Sequence, residues 1–245
     1  MDVIAQPGGA SPSDLADATP AAPPAVPAYL LQVYWWAYIH PRGIRVFDRR
    51  WVTNAILWGN FPRLRDAAIA ALGTPVVGRT LQIACVYGGF TQALLRAMAP
   101  AARLDVVDVV ADQLRNLAGK LAADDPVTLH RTDAADLPFA GGLFDQVVLF
   151  FLLHEQPEEV RRRSLAEAWR ILRPGGRLVI VDYHRPAWWH PLRYLFVPVL
   201  RRLEPFALDL WLRALPSWLP EEARDAPRQE ARFFGGLYQM LVLAR

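Results

Sequence analysis

The residues able to do chemistry in this chain fall in a few short stretches, and the first is a glycine loop that has lost most of its glycines. The segment Leu81-Gln82-Ile83-Ala84-Cys85-Val86-Tyr87-Gly88-Gly89-Phe90-Thr91 lies where a nucleotide-binding α/β domain turns from its first strand into its first helix. That turn ordinarily has an acid at the strand end and spaced glycines that let the backbone approach a ligand closely. Here Gln82 stands in the acid's place, Ala84 and Val86 replace two glycines, and Tyr87 adds a bulky ring. Only Gly88 keeps its phase. Ala84, Val86, Tyr87 and Gly88 are therefore expected to contact a nucleotide-type ligand held in an unusual way. Asp108 follows about 20 residues later, where a carboxylate bridges ribose hydroxyls in such folds. Asp133-Ala134 falls after a further strand, a place suited to an adenine amine. His154, Glu155, Asp182 and His184 fall just after two later strands, and strand C-termini are where open α/β sheets bind ligands.

The pattern between residues 79 and 183 supplies the elements that position these groups. Strands are expected at residues 80–85, 103–107, 127–131, 146–151 and 177–183. Helices fall between them: one carries Phe90, Leu94, Leu95 and Met98 on one face, a second runs over about 111–121, and a third carries Leu165, Ala168, Trp169 and Leu172. The third is expected to stop at Pro174-Gly175-Gly176. Residues 231–234 and 237–243, joined at Gly235-Gly236, read as a β-hairpin. Alternating strands and helices closed by an antiparallel hairpin imply a mostly parallel sheet covered on both faces. Arg161-Arg162-Arg163 reads as the solvated face of its helix.

Two aromatic segments flank this core. Four of the nine tryptophans precede residue 60, four follow residue 187, and only Trp169 lies between. The first segment, 28–75, is expected to form a short helix, a break at Pro41-Arg42-Gly43, and a longer helix from about Asp48. The second, 185–225, mixes Trp188, Trp189, Tyr194 and Phe196 with Arg193, Arg201 and Arg202. Both read as helical substrate caps of one domain spanning 28–245. Residues 1–27 are mostly Ala, Pro, Gly, Ser and Asp with no apolar period, and read as a disordered tail.

Composition narrows the function classes. A net charge of +3 is too small to argue for nucleic acid. Lys120 is the sole lysine, so positive charge is almost all arginine. Cys85, the one cysteine, cannot form an intrachain disulfide and reads as a small buried residue. No apolar run approaches the ~20 residues that span a bilayer, and no targeting segment is visible, so a cytoplasmic location is expected. Trp and Tyr mixed with Arg suit a membrane interface. The two caps are thus expected to form a greasy tunnel on a protein attached peripherally to the cytoplasmic face of the inner membrane.

Several motifs carry a resemblance. The loop, Asp108, Asp133, Asp136-Leu137-Pro138-Phe139 and Leu143-Phe144-Asp145 together resemble class I S-adenosylmethionine (SAM)-dependent methyltransferases over residues 79 to about 182, plus the terminal hairpin. A closer likeness lies in Ala84-Cys85-Val86-Tyr87-Gly88, Phe150-Phe151-Leu152-Leu153-His154-Glu155-Gln156-Pro157, Asp182-Tyr183-His184-Arg185-Pro186 and Phe233-Phe234-Gly235-Gly236-Leu237-Tyr238. These, with Tyr34-Trp35-Trp36-Ala37-Tyr38, resemble the rhodoquinone biosynthesis methyltransferase-like family from about residue 29 onward. The resemblance implies a Rossmann-like, seven-stranded, mostly parallel sheet with a C-terminal hairpin. It also implies that SAM serves as amino donor, that Mn2+ assists, and that the substrate is a polyprenyl quinone whose ring methoxy group gives way to an amine.

That reaction has a physical basis. A methoxy-bearing quinone carbon is a vinylogous ester carbon, so a neutral amine can add and methanol can leave. A metal on the quinone oxygen would stabilise the developing enolate. Its candidate ligands are His184, Asp182, His154 and Glu155. His184 and Asp182 are the expected catalytic pair, with Tyr87 reseating the methionine end of SAM. Two other readings stay open: a conventional methyltransferase acting on a quinone or phenolic lipid, and a SAM- or lipid-binding module without turnover.

Overall fold

The computed structural model describes residues 24–245. Most of the expected N-terminal tail lies outside them. Seven strands form one sheet: β1 Arg79–Ile83, β2 Arg103–Asp108, β3 Val127–Arg131, β4 Phe144–Phe150, β5 Leu172–Tyr183, β6 Arg228–Phe233 and β7 Tyr238–Ala244. Their order is β3-β2-β1-β4-β5-β7-β6, parallel from β3 to β5 and antiparallel for β7 and β6. The order reverses direction between β1 and β4, which opens a crevice at the strand C-termini. β4 is buried along nearly its whole length, as a parallel strand covered on both faces must be.

Helices α1 Ala28–Val33, α2 Pro41–Phe47, α3 Arg50–Ile56 and α4 Phe61–Leu72 precede the sheet. Next come α5 Phe90–Ala97, α6 Ala111–Ala118 and α7 Glu158–Ile171 among its strands, then α8 Leu192–Leu203, α9 Asp209–Leu212 and α10 Glu221–Arg224. α4 turns Phe61, Leu64, Ala68 and Leu72 into the core, and α5 does so with Phe90 and Leu94. α7 opens with Glu158 and Glu159 in its first turn, where the helix dipole favours acids.

Several expectations are corrected. Pro41 does not break a helix; it begins α2, where its missing N–H costs nothing, and His40 Nδ1 accepts from the Arg42 N–H at 3.2 Å. The long helix from Asp48 is split, because Trp58 (φ 53°) and Gly59 (φ 78°) take left-handed conformations between α3 and α4. Pro174-Gly175-Gly176 is not the helix stop: α7 already ends at Ile171, and β5 runs through these residues. The hairpin turn is a short 3-10 segment, Phe234–Gly236, rather than a two-residue turn. Arg161 is not solvated. It is fully buried, donates to the carbonyls of Leu153 (2.9 Å), Gln156 (2.9 Å) and Phe206 (3.0 Å), and lies over the Trp218 ring. It ties the end of β4 to the second cap. No helix among the described residues is long and apolar enough to cross a membrane.

Candidate functional site

A cavity of about 550 Å³ lies over the C-termini of β1, β2 and β4 and under the two caps. One end is polar and ligand-like, the middle is aromatic, and the far end opens toward α8.

The glycine loop and β2 build the first end. Ala84 holds φ 74°, the left-handed conformation that a glycine would adopt without steric cost. Gln82 is fully buried and committed to its own loop: its Nε2 donates to the Ala84 carbonyl at 2.9 Å, and its Oε1 accepts from Thr91 Oγ1 at 3.0 Å. The place of the usual acid is therefore filled by a neutral, internally satisfied amide. Gly88 (φ 78°) has Thr53 and Phe61 about its missing side chain, so α3 and α4 press directly on the loop. Tyr87 donates to the Ala37 carbonyl at 2.7 Å, accepts from Gln113 Nε2 at 2.5 Å, and stacks on Tyr38 with centroids 5.7 Å apart. Its ring thus joins the loop to the first cap. Burial pushes its phenol well above the ordinary value.

Asp108 ends β2, and its two oxygens accept from the backbone N–H of Cys85 and of Val110, each at 2.8 Å. Burial lifts its carboxyl to about 6 against those bonds. The carboxylate lines the cavity. Asp133 also lines the cavity, with Oδ1 accepting from the Ala135 N–H at 2.9 Å. Ala84, Val86, Tyr87, Asp108, Asp133 and Ala134 all face this one space. Gly88 supports the loop from behind. Cys85 is half-buried at the cavity wall rather than buried, and desolvation, then Asp108, pushes its thiol well above the ordinary pKa.

The other polar group follows β4. His154 and Glu155 sit in a 3-10 turn, Leu153–Glu155, and both line the cavity. Asp182, fully buried in β5, holds that turn. Its Oδ2 accepts from the N–H of Leu153 (2.8 Å) and His154 (3.3 Å), and its Oδ1 from the N–H of Tyr183 (2.7 Å). The same Oδ1 lies 3.0 Å from His154 Nδ1. The opposite nitrogen, Nε2, is 3.7 Å from Glu155 Oε1 and 4.0 Å from Glu204 Oε2, which comes from the end of α8. Tyr38, from the first cap, donates to Glu155 Oε1. Burial works against the His154 imidazolium, but Asp182, Glu204 and Glu155 outweigh it and raise the pKa. Burial, reinforced by Glu204, raises Glu155 despite His154. The result is a dry cluster of exchangeable protons at the cavity wall.

The expected metal set does not fit. His184 does not line the cavity; its Nδ1 faces the Gly236 carbonyl at 2.8 Å, beside the terminal hairpin. Asp182 spends both oxygens on backbone N–H groups and His154. Among the described residues, no group of three or more His, Cys, Asp or Glu side chains is arranged to hold a metal ion. The expected His184–Asp182 pair is likewise not assembled; Asp182 partners His154 instead. Sequence reasoning missed Tyr38, Gln113 and Glu204, which reach the site from 117, 26 and 50 residues away from their partners Glu155, Tyr87 and His154. Nothing local marks such residues.

Comparison with known proteins places this geometry. A family model described as a methyltransferase domain matches residues 80–176. The demethylmenaquinone methyltransferase of Clavibacter sepedonicus is 32% identical over 186 residues, covering 75% of this chain and 67% of that protein. The 2-phytyl-1,4-naphtoquinone methyltransferase of Synechococcus elongatus is 34% identical over 107 residues, 44% of this chain and 40% of that protein. Among solved structures, the N-methyltransferase NodS of Bradyrhizobium japonicum WM9, in complex with S-adenosyl-L-homocysteine, superposes with a TM-score of 0.55 at 17% identity. That match covers 85% of this chain and 94% of NodS, and it speaks for the fold alone.

Proposed function

This chain belongs to the class I SAM-dependent methyltransferases, and from that premise we propose that it methylates the ring of a lipid quinol. The observation that carries this reading is the single cavity joining Asp108 and Asp133 at one end to His154 and Glu155 at the other, through a wall of aromatic side chains. Relatives named for demethylmenaquinone and phytylnaphthoquinone methylation support the substrate class. Phe150, Phe151, Tyr183 and Phe196 offer flat apolar faces suited to a quinone ring.

The residues fit SAM. Asp108 would accept from the ribose hydroxyls and Asp133 from the adenine amine, and the backbone from Ala84 to Tyr87 would hold the methionine end. Bound SAM supplies a methyl group on a positively charged sulfur, an electrophile that needs alignment more than activation. The Glu155 carboxylate, whose pKa burial raises to about 8 and so into the range of a general base, accepts the proton of the quinol hydroxyl. The cationic His154, fixed by Asp182, faces the developing phenolate and stabilises it in a water-poor pocket. The caps exclude water from that charge. The ring carbon takes the methyl group as S-adenosylhomocysteine leaves, its own proton moves to the ring oxygen to restore the hydroxyl, and Glu155 releases the proton it took.

A second reading replaces a ring methoxy group by an amine, and one observation favours it. The acid that would meet the SAM amino group is Gln82, whose amide is turned to Ala84 and Thr91. A SAM amino group here finds no carboxylate at that place. The test is product mass. The protein is incubated with SAM and, in separate reactions, short-chain demethylated naphthoquinol and short-chain ubiquinone. An added methyl group supports the proposal, and a methoxy-to-amine change supports the second reading. Unchanged substrate in both reactions, with SAM bound, would leave neither standing.

A further inference from the structure

We propose that α8 and the aromatic side chains around it form a docking surface for an anionic lipid bilayer, set at the mouth of the cavity. The inference deepens the lipid-quinol reading by giving the substrate its route in.

α8 carries more apolar side chains than its core-facing stripe uses. Leu192, Phe196 and Leu200 turn inward at helical spacing, as expected for one core-facing stripe. A second apolar stripe runs beside the first, about 60° round the helix, and it is exposed. Leu195 is 67% exposed, and Val199 and Leu203 follow it at the same spacing, also exposed. Val199 and Leu203 reach the cavity wall, but Leu195 does not, and nothing in the fold covers it.

The uncovered face continues into its neighbours. Tyr194 donates to the Trp188 carbonyl at 2.8 Å, which brings the 75%-exposed Trp188 to the start of α8. Trp58, half exposed, packs edge-on against Phe196 with centroids 6.4 Å apart. Trp35 shares a shallow groove with Arg202 and Leu203 at the helix end. These contacts make one band of Trp, Tyr, Leu and Val, larger than scattered surface apolar groups and of the kind that marks an interaction site.

Two observations select a bilayer as the occupant. First, Trp58, Val199 and Leu203 belong both to this band and to the cavity wall, so whatever covers the band also covers the entrance. A protein partner seated there would seal the cavity; a bilayer would feed it. Second, Arg201 and Arg202 are exposed at the end of α8 and pair with no acidic group among the described residues. Arginines flanking exposed Trp and Leu match the layering of headgroups over acyl chains. The helix is too short to span, so it would lie in the plane of the interface.

The test uses the full chain and reads binding without turnover, so it stands apart from the fate of the methyl-transfer reading. Phosphatidylcholine vesicles, with and without phosphatidylglycerol, are sedimented with the protein while tryptophan emission is recorded. The expected result is co-sedimentation with the anionic vesicles, a blue shift, and release by salt. Trp188→Ser with Leu195→Asp should weaken binding by roughly tenfold or more, as expected when exposed apolar anchors are lost. Arg201→Glu with Arg202→Glu should remove the preference for anionic lipid. Neither pair forms the SAM site, so SAM affinity by calorimetry and the melting temperature should stay unchanged and report an intact fold. Failure of the wild-type protein to bind either vesicle would overturn the proposal. So would a lipid-free dimer, seen by light scattering, that Leu195→Asp dissociates, because a second copy would then own the surface.

Discussion

Asp182→Asn is the perturbation that probes the site most sharply. Asp182 is fully buried and gives its two oxygens to three backbone N–H groups, all at the junction of the cavity with the sheet. It also stands 3.0 Å from His154 Nδ1. Asparagine keeps the shape and one carbonyl oxygen but turns an amide toward N–H groups and removes the charge facing the imidazole. Losing one partner of a buried charged pair costs roughly 3–5 kcal/mol. Because asparagine retains one acceptor, about 3 kcal/mol is expected here. For a chain of this size that lowers the melting temperature by roughly 6–12 °C. The pH dependence carries a sign. Asp182, Glu204 and Glu155 outweigh burial and raise His154 from 6.5 to about 9. Its contribution to stability is therefore complete below about 6.5 and lost as pH rises through about 9. In the variant the largest of those raising charges is gone, so His154 should titrate lower and the alkaline loss of stability should begin at lower pH. Imidazole resonances followed by NMR, with thermal melts across the same range, measure both. An unchanged His154 titration in a folded Asp182→Asn protein would refute the proposed pairing.

Other expectations follow from particular contacts. Asp108→Ala should weaken SAM binding by roughly 1.5–3 kcal/mol in calorimetry, the worth of a hydrogen bond to a charged group. Ala84→Gly should raise stability by up to ~1 kcal/mol, since Ala84 is held at φ 74° where only glycine is unstrained; a lowered melting temperature would count against it. Gln82→Asp places a charge in a fully buried position and should destabilise the free protein, with SAM raising its melting temperature more than it raises that of wild type. Equal SAM-induced shifts would place the amino group away from residue 82.

The sheet was legible because its physics is local. Continuous apolar runs such as Val147-Val148-Leu149-Phe150 can serve as strands buried on two faces, and the amphipathic helices between them name their own inner stripes. Asp108 and Asp133 were legible for the same reason: each falls at a strand end, and the sheet carries strand ends to the crevice. The acid–base cluster was half legible. His154, Glu155 and Asp182 were expected together, but as metal ligands. The sequence does not show that Asp182 is consumed by the backbone it supports. His184, also beside a strand end, is turned toward the hairpin by the Gly236 carbonyl. Arg161 looked like one member of a solvated triplet, and only the docking of the second cap, through the Phe206 carbonyl and Trp218, explains its burial. Tyr38 and Glu204 come from the caps, whose tertiary placement no periodicity encodes.

The transfer chemistry itself is tested most directly by the fate of labels in SAM. SAM carrying a deuterated methyl group and a heavy-nitrogen amino group is incubated with the protein and, in parallel reactions, a short-chain demethylated naphthoquinol and a short-chain ubiquinone, and the products are analysed by mass spectrometry. The expected product carries the deuterated methyl group on its ring and no heavy nitrogen. A product carrying heavy nitrogen in place of a methoxy group, with no deuterium, would contradict methyl transfer.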